Sequence, residues 1–448
     1  MAWLPPAHSP LSAGALASAG ATWLTRLDPR DELADALRHL YHADRVVLTD
    51  SGTHALQLAL TAARDRGGGR RVALPAFSCF DLATAALGAG VEPVFYDLDP
   101  ATLDPEEESL RAALAVDGVA AVVVAPLFGR PAPWRRVRVE ARRAGALLVE
   151  DAAQGIGSSW GGRPAGSLGE VSILSFGRGK GWTGGGGGAL LVRTDGLAVP
   201  GTAAPPGAGP LLLRSAAQWL LGRPALYGLP SRLPWLGLGE TPFHPPSRPR
   251  ELSPASARLA LATHPGAVAA ADLRRTTARR LLDRLGAERG AGEGAGELFD
   301  PRCGYLRLPL RLGAGADSVR ARDRARRLGI LPSYPAALPS LPDIHDARGR
   351  SAGDFPGAEA LVRELVTLPT HRWVGGAAME RMAALLGPLD PALLGPAIDT
   401  RRKVRPPAKI ARSPGVARPT CRGSGAPGTA PHERASGRTG FRYATSVR

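Results

Sequence analysis

Lysine is nearly missing from this chain of 448 residues: it occurs only at Lys180, Lys403 and Lys409, and arginine carries the basic charge everywhere else. A lysine standing alone in such a background is hard to put down to chance, and Lys180 is singled out for that reason. Cysteine is scarce too. Cys79, Cys303 and Cys421 are isolated, with no C-x-x-C spacing. That speaks against a zinc site and a disulfide framework and predicts a reducing compartment, the cytoplasm. No apolar run reaches the roughly 18 residues that a membrane-spanning helix needs. The opening Met1-Ala2-Trp3-Leu4-Pro5-Pro6 has no basic stretch followed by an apolar one, so no secretory signal is expected.

Acidic residues are outnumbered, at 40 against 56 Lys and Arg, but the imbalance is local. Residues 397–448 hold twelve Lys and Arg against two acids, a net +10 of the chain's +16, which leaves +6 for everything before them. A global polyanion-binding role is thereby excluded, and no nucleic-acid partner is expected. After about Leu394 the composition turns to Arg, Pro, Gly, Ser and Ala without periodicity. This predicts a basic, disordered tail over 396–448.

The rest alternates between apolar strands and amphipathic helices. Strands are expected at Arg45 to Leu48, Arg71 to Leu74, Pro93 to Tyr96, Val119 to Ala125, Ala146 to Glu150, Val171 to Ser175 and Ala189 to Val192. Helices are expected between them, after a first helix from Asp31 to Tyr41 with Leu33, Ala36, Leu37 and Leu40 on one face. This pattern predicts an α/β fold with a mostly parallel sheet covered on both sides. An N-terminal arm (1–25) precedes a large domain (26–265), and a smaller C-terminal α+β domain (266–395) follows. A long helix from Ser256 to Leu285, broken or kinked at Pro265-Gly266, hands one over to the other. The small domain is expected to hold a strand from Tyr305 to Leu310 and helices at 318–328, 358–365 and 377–386. The segment 209–238 mixes Leu runs, Trp219, Tyr227 and Trp235 with Arg214, Arg223 and Arg232. It reads either as a packed helix pair, in the core or at a dimer interface, or as a weak surface contact with a membrane.

Three short segments carry chemistry. Ser51-Gly52-Thr53 lies between a strand and a helix. Glycine permits close backbone approach and the helix start offers free N–H groups and a positive dipole end, so a phosphate fits there; an ordinary N-cap fits as well. Asp151 follows an apolar strand at the carboxyl edge, where open α/β sheets bind ligands, although an aspartate there can also cap the next helix. Lys180 follows Ser175 across a short glycine-containing turn, where desolvation would let it lose its proton more easily than in water. An amine able to form a Schiff base and a carboxylate able to keep a pyridine nitrogen protonated are what a pyridoxal 5′-phosphate (PLP) enzyme needs. The glycine run Gly184 to Gly188 would let backbone pack close beneath such a cofactor.

In their order these segments resemble the DegT/DnrJ/StrS family of PLP-dependent sugar aminotransferases, within fold-type I. The resemblance runs from about residue 30 to 395. It passes through Ser51-Gly52-Thr53-His54-Ala55-Leu56, Pro75-Ala76-Phe77-Ser78-Cys79, Gly90 to Asp97, Glu150 to Gly157 and Ser175 to Lys180, and continues more weakly at Leu368-Pro369-Thr370-His371. It implies that Lys180 holds the cofactor and shuttles the proton, and that Asp151 pairs with the pyridine nitrogen. Gln154 would lie near the ring and its phenolic oxygen, while Gly52, Thr53 and Ser175 hold the phosphate. An aromatic should stack on the ring just after the Pro75 motif. Cys79 or Phe80 stands there, and Phe80 is the expectation on chemistry. The implied activity moves an amino group from a donor such as glutamate to a keto-sugar, nucleotide-linked, for polysaccharide or natural-product assembly, in a homodimer. Another PLP reaction on a non-nucleotide or lipid-linked acceptor, and a catalytically silent scaffold, are the rivals; a nucleic-acid-binding protein, resting only on the basic tail, is a third.

Overall fold

The computed structural model describes residues 3–232, 241–287, 299–312, 319 and 323–386. Helix α1 (Ala13–Thr25) opens the chain, with the Ser12 hydroxyl accepting from the Ala15 amide as its N-cap. The expected surface arm thus contains a helix. Its alanines favour that conformation, and Ala15, Ala19 and Thr22 form a buried stripe that packs near Leu259. In α2 (Arg30–Tyr41) the buried stripe is Leu33, Leu37 and Tyr41, spaced i, i+4, i+8. Leu40, expected on that face, is 42% exposed, because the Tyr41 ring takes the core position instead.

From here strands and helices alternate: β1 (Arg45–Thr49), α3 (Gly52–Ala63), β2 (Arg71–Pro75), α4 (Asp81–Ala89), β3 (Glu92–Tyr96), α5 (Glu107–Leu114), β4 (Val119–Val124), α6 (Trp134–Arg143) and β5 (Leu147–Asp151). A two-residue hairpin, β6 (Ser159–Trp160) and β7 (Arg163–Pro164), precedes β8 (Val171–Ser175) and β9 (Gly188–Val192). Seven of these strands form one sheet in the order β1-β9-β8-β5-β4-β2-β3. The neighbours from β8 to β3 are parallel, whereas β9 runs antiparallel to both β8 and β1. All strands except β9 therefore point the same way. Every residue of β4 and β9 is buried, as expected for strands covered on both faces.

This topology builds the site. The carboxyl ends of β1, β2, β4, β5 and β8 share one edge of the sheet. They deliver Gly52 and Thr53, then Ser78 and Cys79, then Pro126 and Leu127, then Asp151, and finally Ser175, to one place.

Helices α7 (Ala208–Leu221) and α8 (Pro224–Tyr227) follow β9. In α7 only Ser215 is buried, so this segment is not a core helix pair within the chain. Trp235 and Leu236 of the same segment, and the tail over 396–448, lie outside the described residues. Helix α9 (Pro254–Ala287) runs 34 residues without a break, with Pro265 inside it. No break falls at Pro265-Gly266, and the domain boundary expected at 265 falls within this helix.

A second, three-stranded sheet follows. In it β12 (Leu365–Leu368) is flanked antiparallel by β10 (Leu308–Arg311) and β11 (Leu331–Pro332). Helices α10 (Asp323–Arg327), α11 (Pro356–Glu364) and α12 (Gly376–Leu386) accompany it. The remainder of the helix expected over 318–328 lies outside the described residues, apart from Val319 and Leu328. A separate core of Leu281, Leu285, Tyr305, Leu310, Leu368 and Met382 holds this sheet to the end of α9.

Candidate active site

Strand β5 ends in two carboxylates with different roles. Glu150 is fully buried and accepts from the amides of Gly166 (2.7 Å), Leu168 (2.7 Å) and Gly169 (3.1 Å) and from the Ser172 hydroxyl (2.8 Å). It is a satisfied anchor for the turn into β8. Asp151 lines the cavity at the sheet edge and takes one amide bond, from Ala153 at 3.0 Å. Burial pushes its carboxyl above the ordinary aspartate range, against the Ala153 amide and the Lys180 charge that pull it down. A carboxylate so placed is stabilised by a cation brought up to it.

The start of α3 meets the end of β8 across glycine. A Cβ on Gly52 would stand 2.8 Å from the Ser175 Cβ, so only glycine allows the helix start to sit beside Ser175. Ser51 caps the helix, accepting from the His54 amide at 3.1 Å. The two readings of this tripeptide are thus compatible: Ser51 is the cap, and Gly52 and Thr53 line the cavity in the turn where a helix leaves its amides without intrahelical partners. Outside the cavity, the His54 ring bridges Asp50 (2.5 Å) and the exposed Ser247 (2.9 Å), fixing the first turn of α3.

Lys180 stands between β8 and β9, in a turn where Gly179 and Gly181 both have positive φ. Its surroundings differ from the expectation that burial alone would ease proton loss. Burial does push its pKa down, but Cys79, Asp81 and Asp151 together push harder the other way, and the net direction is up. Burial holds the Cys79 thiol up at about 12, so it is neutral at pH 7 and Asp81 and Asp151 are the effective counter-charges. Cys79 Sγ donates to Asp81 Oδ2 at 3.3 Å.

Gln154 is tied at both ends. Its Oε1 accepts from the Phe128 amide, and its Nε2 donates to the Tyr334 hydroxyl, each at 2.8 Å. Tyr334 also packs edge-on against Phe77, with ring centroids 5.5 Å apart. It comes from the turn after β11, so the second sheet helps to frame the site.

Gly52, Thr53, Asp151, Gln154, Ser175 and Lys180 therefore all line one cavity of about 470 Å³, part of it open to solvent. Phe80 does not join them. It stands at the start of α4, buried in the main core, while Cys79 faces the cavity, so the expected stacking residue is replaced by a thiol. The glycine run also differs from its expected use. Gly185 packs against Ser215 and Leu211 of α7, and Gly184 and Gly186 accept from the Ser256 hydroxyl (2.9 and 2.8 Å), so the close approach is to protein. Reading the sequence missed Ser78, Asp81, Leu127 and Tyr334. Asp81 lies within reach of the Pro75 motif and could have been found there; Tyr334 carries no local signal.

The residues present fit PLP: a cradle that a Cβ on Gly52 would fill, a carboxylate that a cation would stabilise, and an amine lining the same cavity. By fold and site this is an α/β protein of the fold-type I arrangement, with a ligand cavity built around one lysine. Residues 12–200 match the model of the DegT/DnrJ/EryC1/StrS aminotransferase family. It is 38% identical over 148 residues to an L-glutamine:2-deoxy-scyllo-inosose aminotransferase of Streptomyces fradiae, covering 33% of this chain and 34% of that protein. It is 33% identical over 153 residues to a GDP-perosamine synthase of Caulobacter vibrioides, covering 34% and 41%. The matched stretch spans less than half the length of these curated relatives. A crystal structure of a sugar aminotransferase from Micromonospora echinospora superposes with a TM-score of 0.63 at 21% identity, over 86% of this chain and 99% of that one, which establishes the common fold.

Proposed function

We propose that this chain is a PLP-dependent aminotransferase that transfers an amino group from a donor such as glutamate to a keto-sugar, nucleotide-linked, for polysaccharide or natural-product assembly. The observation that carries this reading is the convergence of Lys180, Asp151, Gln154, Ser175, Gly52 and Thr53 on one cavity from three separate stretches of chain. When bound, the cofactor supplies an aldehyde that carries the amino group and a ring that draws electrons from the substrate carbon. The start of α3 and Ser175 hold its phosphate. Asp151 keeps a ring proton in place, since a cation there relieves the cost of its buried charge. Gln154 keeps one amide hydrogen beyond its bond to Tyr334 and can direct it at the ring. Lys180 Nζ holds the cofactor and moves a proton to and from the substrate carbon. Engaging Asp151 with the ring also removes one of the two carboxylates that keep Lys180 protonated, so loading the site readies the lysine.

The enzyme is proposed to act in the cytoplasm as a symmetric homodimer, in keeping with its isolated thiols and with the family's habit. A second reading, transfer to an acceptor that carries no nucleotide, is supported by the Streptomyces fradiae relative, whose name includes none.

The test is an absorbance spectrum of the protein with added PLP, for the wild type and Lys180→Ala, before and after glutamate or glutamine. A visible band that needs Lys180 and bleaches with the donor is expected. A wild type without such a band would sink the reading. Assay with a nucleotide-linked and a nucleotide-free ketone then separates the two acceptor classes.

A further inference from the structure

Helix α7 has no part in the chemistry above, and its two sides are unlike. The inner side rests on the glycine run that follows Lys180: Ser215 is buried, a Cβ on Gly185 would clash with its hydroxyl, and Leu211 lies beside Gly185 and Gly186. Gln218 Nε2 donates to Ser9 Oγ at 3.2 Å. The outer side presents Leu213, Ala216, Ala217 and Leu220, at i, i+3, i+4 and i+7, all exposed. Leu213 is 73% exposed and Leu220 45%, and Leu229 beyond α8 is 60% exposed. Helix α1, which packs beside α7, adds exposed Trp23, Leu24 and Leu27 at its end.

The charge around this apolar face is mainly positive. No Asp or Glu occurs from residue 196 to 239, whereas Arg214, Arg223 and Arg232 do, and the first 27 residues also contain no acid. The Arg223 guanidinium lies over the Trp219 ring at 4.4 Å. The charges acting on Tyr227 are those of Arg178, Arg307 and Arg326. Arg327 lies over Trp3 at 5.5 Å; Asp323, paired with Arg327 at 2.8 Å, and Asp28, next to Leu27 and paired with Arg30 at 2.6 Å, are acids at the margin of the face.

A second copy of the chain that set this face against itself about a two-fold axis would bring arginine-rich surface against arginine-rich surface. Phospholipid headgroups of negative charge are the complement. Leucine, tryptophan and tyrosine rimmed by arginine is the composition of a helix lying in a membrane interface. No helix among the described residues is long and apolar enough to cross a membrane, so the contact is peripheral. We propose that the outer face of α7, with α8 and the arginines around it, docks this protein on an anionic membrane surface. Because α7 sits on the loop that follows Lys180, docking places the catalytic cavity close to the lipid, where an acceptor on a lipid carrier would be presented. The surface assignment is independent of the reaction assigned to the cavity.

Vesicle co-sedimentation tests it, with the full chain, on phosphatidylcholine alone and on phosphatidylcholine mixed with phosphatidylglycerol, at low and high salt. The basic tail also attracts anionic lipid, so the comparison is between the wild type and Leu213→Glu/Leu220→Glu, both with the tail intact. Wild type is expected to bind the mixed vesicles and to keep part of that binding at high salt. The double variant should bind them about tenfold or more weakly, since each leucine no longer buries its side chain, with unchanged thermal melting and oligomeric state. Leu213→Ser/Leu220→Ser serves the same comparison should the glutamate pair impair folding. Equal binding by wild type and variant would assign the attraction to the tail and overturn the proposal. So would a wild type that ignores both vesicles, or a variant whose oligomer falls apart in light scattering, which would make this face an interface between copies.

Discussion

At the scale of single residues, the site is a balance between one amine and two carboxylates. Removing one carboxylate should release the amine. Asp81→Asn takes away a charge that raises the Lys180 pKa, so at neutral pH a larger fraction of the lysine is unprotonated. Attachment of added PLP to the cofactor-free protein should then be faster, and its rise with pH should move to lower pH, in stopped-flow absorbance. An unshifted profile would show that Asp81 does not act on Lys180. Gly52→Ala puts a Cβ 2.8 Å from the Ser175 Cβ and forces the start of α3 away from Ser175, where the phosphate is proposed to sit. Equilibrium dialysis should show PLP affinity reduced by about tenfold or more, a loss of ~1.4 kcal/mol, with little change in melting temperature. Glu150→Gln is expected to act on stability. The amide keeps one acceptor oxygen but turns its NH2 toward at least one of the four donors, at a cost of about 3 kcal/mol in chemical denaturation. At this scale Lys180, Asp151 and Gly52 were legible because each is rare or bound to a strand–helix junction. Phe80 was misassigned because the backbone turn entering α4, which decides whether 79 or 80 faces the cavity, leaves no mark in composition.

At the scale of elements, the N-terminal segment is held to the second sheet by a buried histidine. His371 Nε2 meets the Pro5 carbonyl at 2.7 Å, and burial lowers its pKa to about 3, while burial and then Arg372 lower that of His8 to about 4. Both are neutral when folded, whereas in the unfolded chain they take up protons below about pH 6.5. Protonation thus favours the unfolded state, and stability should be full above about 6.5 and fall as the pH drops toward 4 and then 3. The slope should be up to ~1.4 kcal/mol per pH unit for each histidine. Urea melts across that range should show the slope reduced in His371→Gln; an unchanged slope would assign the acid sensitivity to other groups. The long periodic elements were readable, from α2 and α3 through β9 and α9. Strand β12 was not, because Leu365–Leu368 is too short to show alternation and directly follows α11, whose periodicity runs into it. Its pairing with β10 and β11 is what makes it a strand.

At the scale of the whole molecule, charge and chemistry are separated along the chain. Deleting 397–448 removes +10 of the +16 and none of the cavity-lining residues, which lie between 52 and 180. The truncated protein should keep its PLP spectrum and turnover while losing salt-sensitive retention on a polyanion column. Loss of the spectrum would mean that the tail supports the fold. By itself the sequence determined the α/β class, the strand–helix junctions and the lysine–aspartate pair, because hydrophobic period, glycine placement and the rarity of lysine are local properties. Only the tertiary structure decided that Cys79 rather than Phe80 faces the cavity, that Asp81 joins it, that Tyr334 holds Gln154 from behind, and that one side of α7 stays bare. Each of these depends on which surfaces meet when the sheet edge closes, and residues as distant as Gln154 and Tyr334 become neighbours only through that packing.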